Sequence, residues 1–151
     1  MSNNLIKYEF RGYKIVKGVI NRVDEKPIAS FSMGCQKPRY DEKTQIYEIL
    51  SEFSLKFGEE ESVFLFSAGF KINDLEWLEI MAEQTVVNEL FRIAYPFFVA
   101  KIHDITTDFR PGFIIPIVDL AKIDFTKKVV FNLNRVNKEN TNENNNPESI
   151  N

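Results

Sequence analysis

Side chains capable of nucleophilic or acid–base chemistry are few in this sequence. There is one histidine, His103, and one cysteine, Cys35, and together they provide too few ligands for a zinc site. A Cys–His pair would need a third group to orient the base, and the sequence context suggests none. His103 lies one position from an apolar helical stripe, which is more typical of a boundary histidine than of a general base. Cys35 is expected to be a small buried apolar residue.

Neither the paired carboxylates nor the glycines of this sequence indicate a catalytic or cofactor site. Asp104 and Asp108 are four residues apart, so a helix would place both on one face. Lys101 and Arg110 are close to them, which favours ordinary surface ion pairs. The sequence contains neither a phosphate-binding glycine loop nor a dinucleotide-binding fingerprint. We therefore expect a protein that is not an enzyme and uses no metal or cofactor.

The composition indicates one globular domain that is rich in aromatic residues. The 151 residues are 44% hydrophobic and 27% charged, with a net charge of −3. This charge does not favour binding to nucleic acid or insertion at an anionic membrane, and no apolar run suits a membrane span. A single cysteine and the absence of a signal-peptide pattern predict a cytoplasmic location. Fourteen phenylalanines indicate an aromatic core, an interface or a binding groove.

Hydrophobic periodicity predicts strands in the first half of the chain. The expected strands are 5–20, 28–36, 46–57 and 62–70. In the first, the alternation changes phase after Gly12, which is typical of a β-bulge. The polar stretch 38–45 is expected to be a connection. The last two strands flank a turn at 58–61, which predicts an antiparallel hairpin.

A helix is expected after residue 72. Asn73 or Asp74 can cap its N-terminus, and apolar residues three or four apart form a stripe along its second half. Pro96 lies inside this stretch and predicts a kink or a break near residue 94, so one helix and two helical pieces are both compatible with the pattern.

The end of the chain is less regular. The pattern at 126–136 fits a short strand or a helix and does not decide between them. Residues 137–151 are asparagine-rich and nearly devoid of apolar side chains, so we expect them to be disordered. The predicted organisation is therefore a single domain at 1–136 followed by a tail.

Three collinear features make the chain resemble the SecB export-chaperone family. They are the hairpin KFGEEESVFLF (56–66), the segment YPF (95–97) and the stretch GFIIPIVDLAKIDF (112–125). Their order and spacing agree with that family from about residue 5 to residue 126. The resemblance implies an α+β fold, with a four-stranded antiparallel sheet packed with a long, proline-kinked helix. It also implies a homo-oligomer, assembled as a dimer of dimers.

The resemblance further implies an ATP-independent holdase that keeps unfolded polypeptide clients in hydrophobic grooves between the sheet, the helix and the segment that follows. The expected groove residues are Phe64, Phe66, Trp77, Phe109, Phe113, Ile114 and Ile115. For the two strand phenylalanines, a place in the core is an equally good interpretation, whereas 113–115 favour the groove. On the helix, Tyr95, Phe98 and Ile102 are expected to pack against the sheet or against a helix of another subunit.

Members of that family contact the translocation motor SecA through acidic residues on the sheet, and Phe57 and Glu59 occupy matching positions here. The matching acidic pair of the first strand is missing, because residues 17–22 read KGVINR. This charge reversal is expected to weaken a contact based on complementary charge. It favours a dedicated chaperone, for example of an antitoxin, over protein export. The alternative function is a structural protein that uses the same scaffold only to oligomerise.

Overall fold

The computed structural model describes residues 6–21, 28, 30–107, 115, 119–132 and 148–150. The strands are β1 (Tyr8–Val19), β2 (Ser30–Cys35), β3 (Arg39–Asp41), β4 (Ile46–Phe57), β5 (Glu60–Ile72), β6 (Lys128–Asn132) and β7 (Glu148–Ile150). The helices are α1 (Leu75–Ile80) and α2 (Glu83–Thr106), with a 3₁₀ turn at Leu120–Lys122. In the described part of the chain, no helix has the length and apolar character that crossing a bilayer requires.

All strand pairs are antiparallel, and the order across the sheet is β1-β5-β4-β2-β6-β7, with β3 paired to β4. The predicted α+β class is confirmed, but the predicted count of four strands is wrong, because the sheet has seven. The additional strands β3, β6 and β7 are short. They are held by backbone hydrogen bonds to a neighbouring strand, and the alternation of side chains in the sequence does not predict such pairing.

Two of these short strands fall where the sequence predicted none. β3 lies in the stretch 38–45 that was expected to be a connection, and β7 lies within the expected tail 137–151. The expected disorder therefore does not hold for Glu148–Ile150, which pair with the outer edge of β6. The rest of the tail lies outside the described residues, and the division at residue 136 stays a prediction. Within 126–136, where the pattern was undecided, the described residues Lys128–Asn132 form the strand β6.

β1 contains two register shifts against β5, one between Phe10 and Gly12 and one between Ile15 and Lys17. The first confirms the bulge predicted at Gly12, whose φ of 119° suits only glycine. The alternation of the sequence does not predict the second shift. Each extra residue moves the following side chains to the opposite face of the sheet.

β4 and β5 form the predicted hairpin. Phe57 pairs directly with Glu60, so the turn contains only Gly58 and Glu59 and is shorter than the predicted 58–61. Gly58 has a φ of 65°, a left-handed conformation that glycine adopts without steric cost. The alternating apolar side chains of both strands point to the side where α2 packs, and they form most of the core.

The helical region is interrupted, but at a different place from the predicted one. Asp74 caps α1, since its side chain accepts a hydrogen bond from the Trp77 backbone N at 3.0 Å. The interruption lies at Met81 and Ala82, whose backbones are extended. Of the two alternatives near residue 94, the break does not occur, because α2 continues through Pro96, and the kink stays a prediction. Buried residues of α2 on both sides of this proline pack in the core, which holds the helix together across the missing donor.

Candidate functional site

The helix-facing side of the sheet is filled with aromatic rings. The Phe66 ring of β5 lies 4.9 Å from the Phe98 ring of α2 and 5.6 Å from the Phe53 ring of β4, between centroids. All three side chains are 0% exposed. Such ring pairs add about 0.5–1.5 kcal/mol each beyond the burial of their area. A large part of the phenylalanine excess therefore serves the core.

Four of the expected groove residues, Phe64, Phe66, Trp77 and Ile115, belong to the buried core. Phe64 is 1% exposed, Phe66 is 0% exposed and Trp77 is 8% exposed. Of the two interpretations given for the strand phenylalanines, core packing is the one realised in the single chain. The Trp77 ring packs against Tyr8 of β1, with 5.3 Å between centroids. A polypeptide could reach these side chains only if the helices moved away from the sheet, and their role in a groove stays a prediction.

The chain returns along α2 after the helix ends, in a segment that we call the return segment (residues 115–126, of which 115 and 119–126 are described). Ile115 donates its backbone N–H to Nε2 of His103 at 2.9 Å. Further along, the Nε of Arg92 donates to the carbonyl of Leu120 at 3.2 Å. Rising residue numbers in the segment thus meet falling numbers on the helix, so the segment runs antiparallel to α2.

The far end of the return segment is held by a polar cluster around Asp124. This carboxylate accepts hydrogen bonds from Nε2 of Gln84 at 2.6 Å and from Nδ2 of Asn88 at 3.1 Å. Asn88 also accepts the Phe125 backbone N–H at 2.7 Å. Burial opposes ionisation of Asp124, but hydrogen bonds from Thr126 and Asn88 outweigh it, so the pKa of this carboxyl lies below its ordinary value.

The border between α2 and the return segment is only partly closed. Tyr95, Val99 and Leu120 are half-buried at the margin of the core. The Tyr95 ring lies 5.7 Å from Phe91 and 6.4 Å from Phe125, and burial raises the pKa of its hydroxyl to about 12. A half-buried apolar strip beside a separately clamped segment is a surface that could accept further apolar side chains.

A second open apolar surface lies at the other side of the helix, beside β1. Phe97 is 45% exposed, and its ring stacks on Phe10 at 5.0 Å and lies 5.9 Å from Tyr13. We call these three rings the aromatic edge. β1 is also the terminal strand of the sheet, and Val16 and Val19 on it are 51% and 44% exposed.

Comparison with known proteins gives a match at the level of structure. No family model and no curated protein sequence matches the chain. Among solved structures, it matches the Mycobacterium tuberculosis SecB-like chaperone in complex with a ChAD peptide from the HigA1 antitoxin. The TM-score is 0.54 at 12% sequence identity, covering 75% of this chain and 91% of that chain. This chain has a SecB-like fold. The family resemblance inferred from three collinear motifs is thus confirmed at the level of the fold.

Within the SecB-like fold, the two residues expected to contact the motor, Phe57 and Glu59, differ from each other in exposure. Phe57 is 0% exposed and belongs to the core, whereas Glu59 is exposed in the β4–β5 turn. A partner that reached this end of the hairpin would therefore meet the glutamate and not the phenylalanine ring. The motor contact itself stays a prediction.

The expected interface residues of α2 mainly serve packing within the chain. Phe98 and Ile102 are 0% exposed, and Phe98 stacks on Phe66, so they pack helix against sheet. Contacts of these residues with another subunit stay a prediction. Ile115, which the sequence placed in the groove, is 3% exposed and packs in the core of the single chain, and Phe109, Phe113 and Ile114 lie outside the described residues.

The SecB-like fold uses its histidine and cysteine for structure. Nε2 of His103 accepts the bond from Ile115, so this ring atom is occupied by the return segment. Burial raises the pKa of the Cys35 thiol to about 12, which keeps it protonated and unreactive at neutral pH. Among the described residues, no group of three or more His, Cys, Asp and Glu side chains could hold a metal ion.

Sequence reasoning missed the aromatic edge. Phe97 falls beside the apolar stripe of the helix and not on it, so periodicity does not select it. Its partners on β1 could be found in part, because the phase change at Gly12 places Tyr13 on the same face as Phe10. The polar cluster around Asp124 was missed as well, since its members are 36 to 40 residues apart along the chain.

Proposed function

We propose that this protein is a non-catalytic, ATP-independent chaperone that holds a dedicated polypeptide partner, such as an antitoxin, in a non-native state. The observation that carries the proposal is the fold shared with a SecB-like chaperone bound to an antitoxin peptide. The half-buried strip beside the return segment supports it, because a chaperone of this kind needs apolar surface that is neither fully exposed nor filled.

The proposed client site is the border between α2 and the return segment. The client would lie along Tyr95, Val99 and Leu120 and would also contact Phe109, Phe113 and Ile114. Polar clamps hold the return segment at both ends, through His103 and through Asp124. Buried Ile115 and Ile123 anchor the segment as well, so apolar client side chains would insert between these anchors, beside half-buried Leu120.

The first test uses light scattering to measure the aggregation of two chemically unfolded clients in separate assays. One client is an antitoxin, and the other is an unrelated protein. We expect suppression of antitoxin aggregation at stoichiometric amounts of the protein, unchanged by ATP. A requirement for ATP would contradict the proposal. Suppression of the unrelated protein as well would indicate a general holdase, and suppression of neither client would contradict both forms.

The second test locates the site. Phe113→Ser and Leu120→Ser are expected to weaken client binding about tenfold, roughly the loss of one or two buried apolar contacts, and to leave the oligomer intact. Ile80→Ser is the matched control, since Ile80 is 71% exposed at the end of α1, away from the proposed site. Equal losses in the control, or dissociation of the oligomer by Phe113→Ser, would place these residues outside a client groove.

A chaperone that delivers clients to the motor SecA is less well supported than a chaperone with a dedicated partner. Phe57 is buried, and Lys14 and Lys17 stand on the strand where an acidic contact would be needed. A dedicated partner in the cytoplasm requires no such contact and is therefore favoured.

A structural protein that only oligomerises is the second candidate, and the β1 side of the molecule favours it. The terminal strand β1 could pair with β1 of a second copy, which would also cover the aromatic edge. Nearby, the carboxylate of Glu89 interacts with the Tyr8 hydroxyl of β1, and its buried Oε2 has no hydrogen-bond partner by distance and angle among the described residues. Such an atom gains stability when a further donor reaches it. The aggregation test separates this candidate from the chaperone, because a purely structural oligomer would suppress nothing.

A further inference from the structure

The face of the sheet that points away from α2 has a charge pattern that the proposed client site does not use. On β1, Lys14 lies opposite Ser67 of β5 and Lys17 lies opposite Leu65. Ser67 and Leu65 alternate with the core residues Phe64 and Phe66, so they belong to the open face. The two lysines therefore belong to the open face as well.

This arrangement depends on the second bulge of β1. Residues three apart on a regular strand point to opposite faces of the sheet. The register shift between Ile15 and Lys17 inserts one residue and so returns Lys17 to the face of Lys14. Both lysines are exposed. Neither forms an ion pair with any residue that the structure describes.

A third cation and a depression continue this row. Arg11 sits in the first bulge, beside a shallow, solvent-open depression of about 320 Å³ that is lined by Arg11, Gly12, Tyr13, Lys14, Ser67 and Gly69. Gly12 and Gly69 are direct partners across the two strands, so the depression has a floor without side chains. Arg11 and Lys14 therefore flank a notch large enough for a carboxylate group.

The nearby acidic groups do not neutralise the row. Arg11 bonds Glu9 at 3.2 Å, but both side chains are about half exposed, and such a surface pair is easily exchanged for another partner. Glu48, on the strand beyond β5, is already bound by Arg39 at 2.9 Å and by the Ser67 hydroxyl at 3.0 Å. Along β1 the open face is thus locally positive, although the chain has a net charge of −3.

We propose that the basic row Arg11, Lys14 and Lys17 is a docking surface for an acidic polypeptide segment, with one carboxylate of that segment in the glycine-floored notch. Half-buried Val63 and Leu65 of β5 lie next to the row and would contact apolar side chains of the segment. The charge complementarity selects the acidic sequence, and the adjacent apolar strip selects a peptide.

A nucleic acid fits this surface less well. The row is one strand wide, and exposed Glu52 of β4 lies opposite Leu65, two strands from Lys17 and so about 10 Å away. A wide, continuous phosphate backbone would meet this carboxylate, whereas a single extended peptide can follow β1 alone. Because the row and α2 lie on opposite faces, the acidic segment and the proposed client can be bound at the same time.

The test uses a fluorescein-labelled peptide of alternating glutamate and leucine residues and an otherwise identical lysine–leucine peptide. Binding to the full chain is measured by fluorescence anisotropy at about 0.05 M and about 0.3 M NaCl. We expect the acidic peptide to bind, to weaken with salt and to bind at least tenfold more tightly than the basic peptide. The double variant Lys14→Glu/Lys17→Glu is expected to lose at least tenfold in affinity.

The control variant is Lys37→Glu/Lys43→Glu, which changes the net charge equally at exposed positions outside both the row and the return segment. We expect a change of no more than about twofold there, since distant surface charges are largely screened. Lys14→Gln/Lys17→Gln should give an intermediate loss, and an unchanged urea unfolding curve shows that each variant is folded. Equal losses in the control, or tighter binding of double-stranded DNA than of the acidic peptide, would overturn the proposal.

Discussion

The two sides of α2 are built on different principles. Toward the sheet, Phe91, Phe98 and Ile102 are 0% exposed and interlock with rings of the strands. Toward the return segment, Phe125 is also buried and stacks on Phe91 at 4.0 Å, but Tyr95 and Leu120 are only half-buried, and directed hydrogen bonds from helix side chains add to the hold. The sheet side is held by buried apolar area along its whole length, whereas the return segment combines buried anchors near its two ends with a few polar contacts to the helix.

This difference suits the function that we propose. A ring-filled core loses several kcal/mol with any displaced side chain, so it cannot open for a client. Between its buried anchors Ile115 and Ile123, the return segment is held at half-buried Leu120 by a hydrogen bond from Arg92, worth about 1 kcal/mol, so this stretch can shift while the core stays intact. Client binding is therefore expected to alter the return segment and to leave the sheet unchanged.

The largest effect is expected on the sheet side. Phe66→Ala removes a ring that contacts Phe98, Phe53 and Tyr13 and should lower the free energy of unfolding by about 3–5 kcal/mol. Urea unfolding measures this loss. A loss below about 1 kcal/mol would show that the core can rearrange around the cavity, and the contrast between the two sides of α2 would fail.

These two sides also differ in how far the sequence predicts them. Period-two alternation places Phe53, Phe64 and Phe66 on one face, and the helical stripe selects Phe98 and Ile102, so the packed side follows from local patterns. The clamp at Asp124 does not, because its partners Gln84 and Asn88 are distant in sequence and polar residues have no periodicity that marks them. The resemblance to the SecB family identified the stretch that forms the return segment, but it did not predict the hydrogen bonds that hold this segment against α2.

The restriction of sequence patterns to local information also explains why three strands were not predicted and why α2 was not predicted to continue through Pro96. β3, β6 and β7 depend on which backbone lies beside them, and β7 comprises three polar-flanked residues with no alternation to detect. Pro96 predicted a kink or a break, because rules based on local sequence do not include the residues against which a helix packs. In the chain, the core contacts of Phe91 and Phe98 on either side outweigh the lost donor.

An intermediate effect is expected at the clamp. Asp124→Asn keeps the shape but removes the charge that accepts hydrogen bonds from Gln84, Asn88 and Thr126, and should cost about 1 kcal/mol. The folded-state pKa of Asp124 is lowered from 3.8, so its contribution is present above pH 3.8 and is lost as the pH falls through the lowered value. The stability difference between wild type and variant should shrink accordingly in urea unfolding at decreasing pH.

A matched control for this pH effect is Asp104→Asn, which changes an exposed carboxylate of α2 that lies 4.0 Å from Lys101. This surface pair contributes little, so the control should stay near wild type throughout the same pH range. If the Asp124 difference were constant with pH, or if the control showed the same trend, the clamp would not depend on the charge of Asp124.

The smallest effect on stability, and the largest on assembly, is expected at the aromatic edge. Phe97 is already 45% exposed, so Phe97→Ser should lower the free energy of unfolding by less than about 1–2 kcal/mol, well below the loss for Phe66→Ala. If a second copy covers this edge along β1, the same substitution removes a central ring of the interface and should reduce the mass seen in sedimentation toward that of a single chain. Ile80→Ser, also at an exposed apolar residue but outside the edge, should leave the mass unchanged. An unchanged mass for Phe97→Ser would instead leave the edge open in the assembled protein, and β1 would then present a free strand and three rings to the client itself.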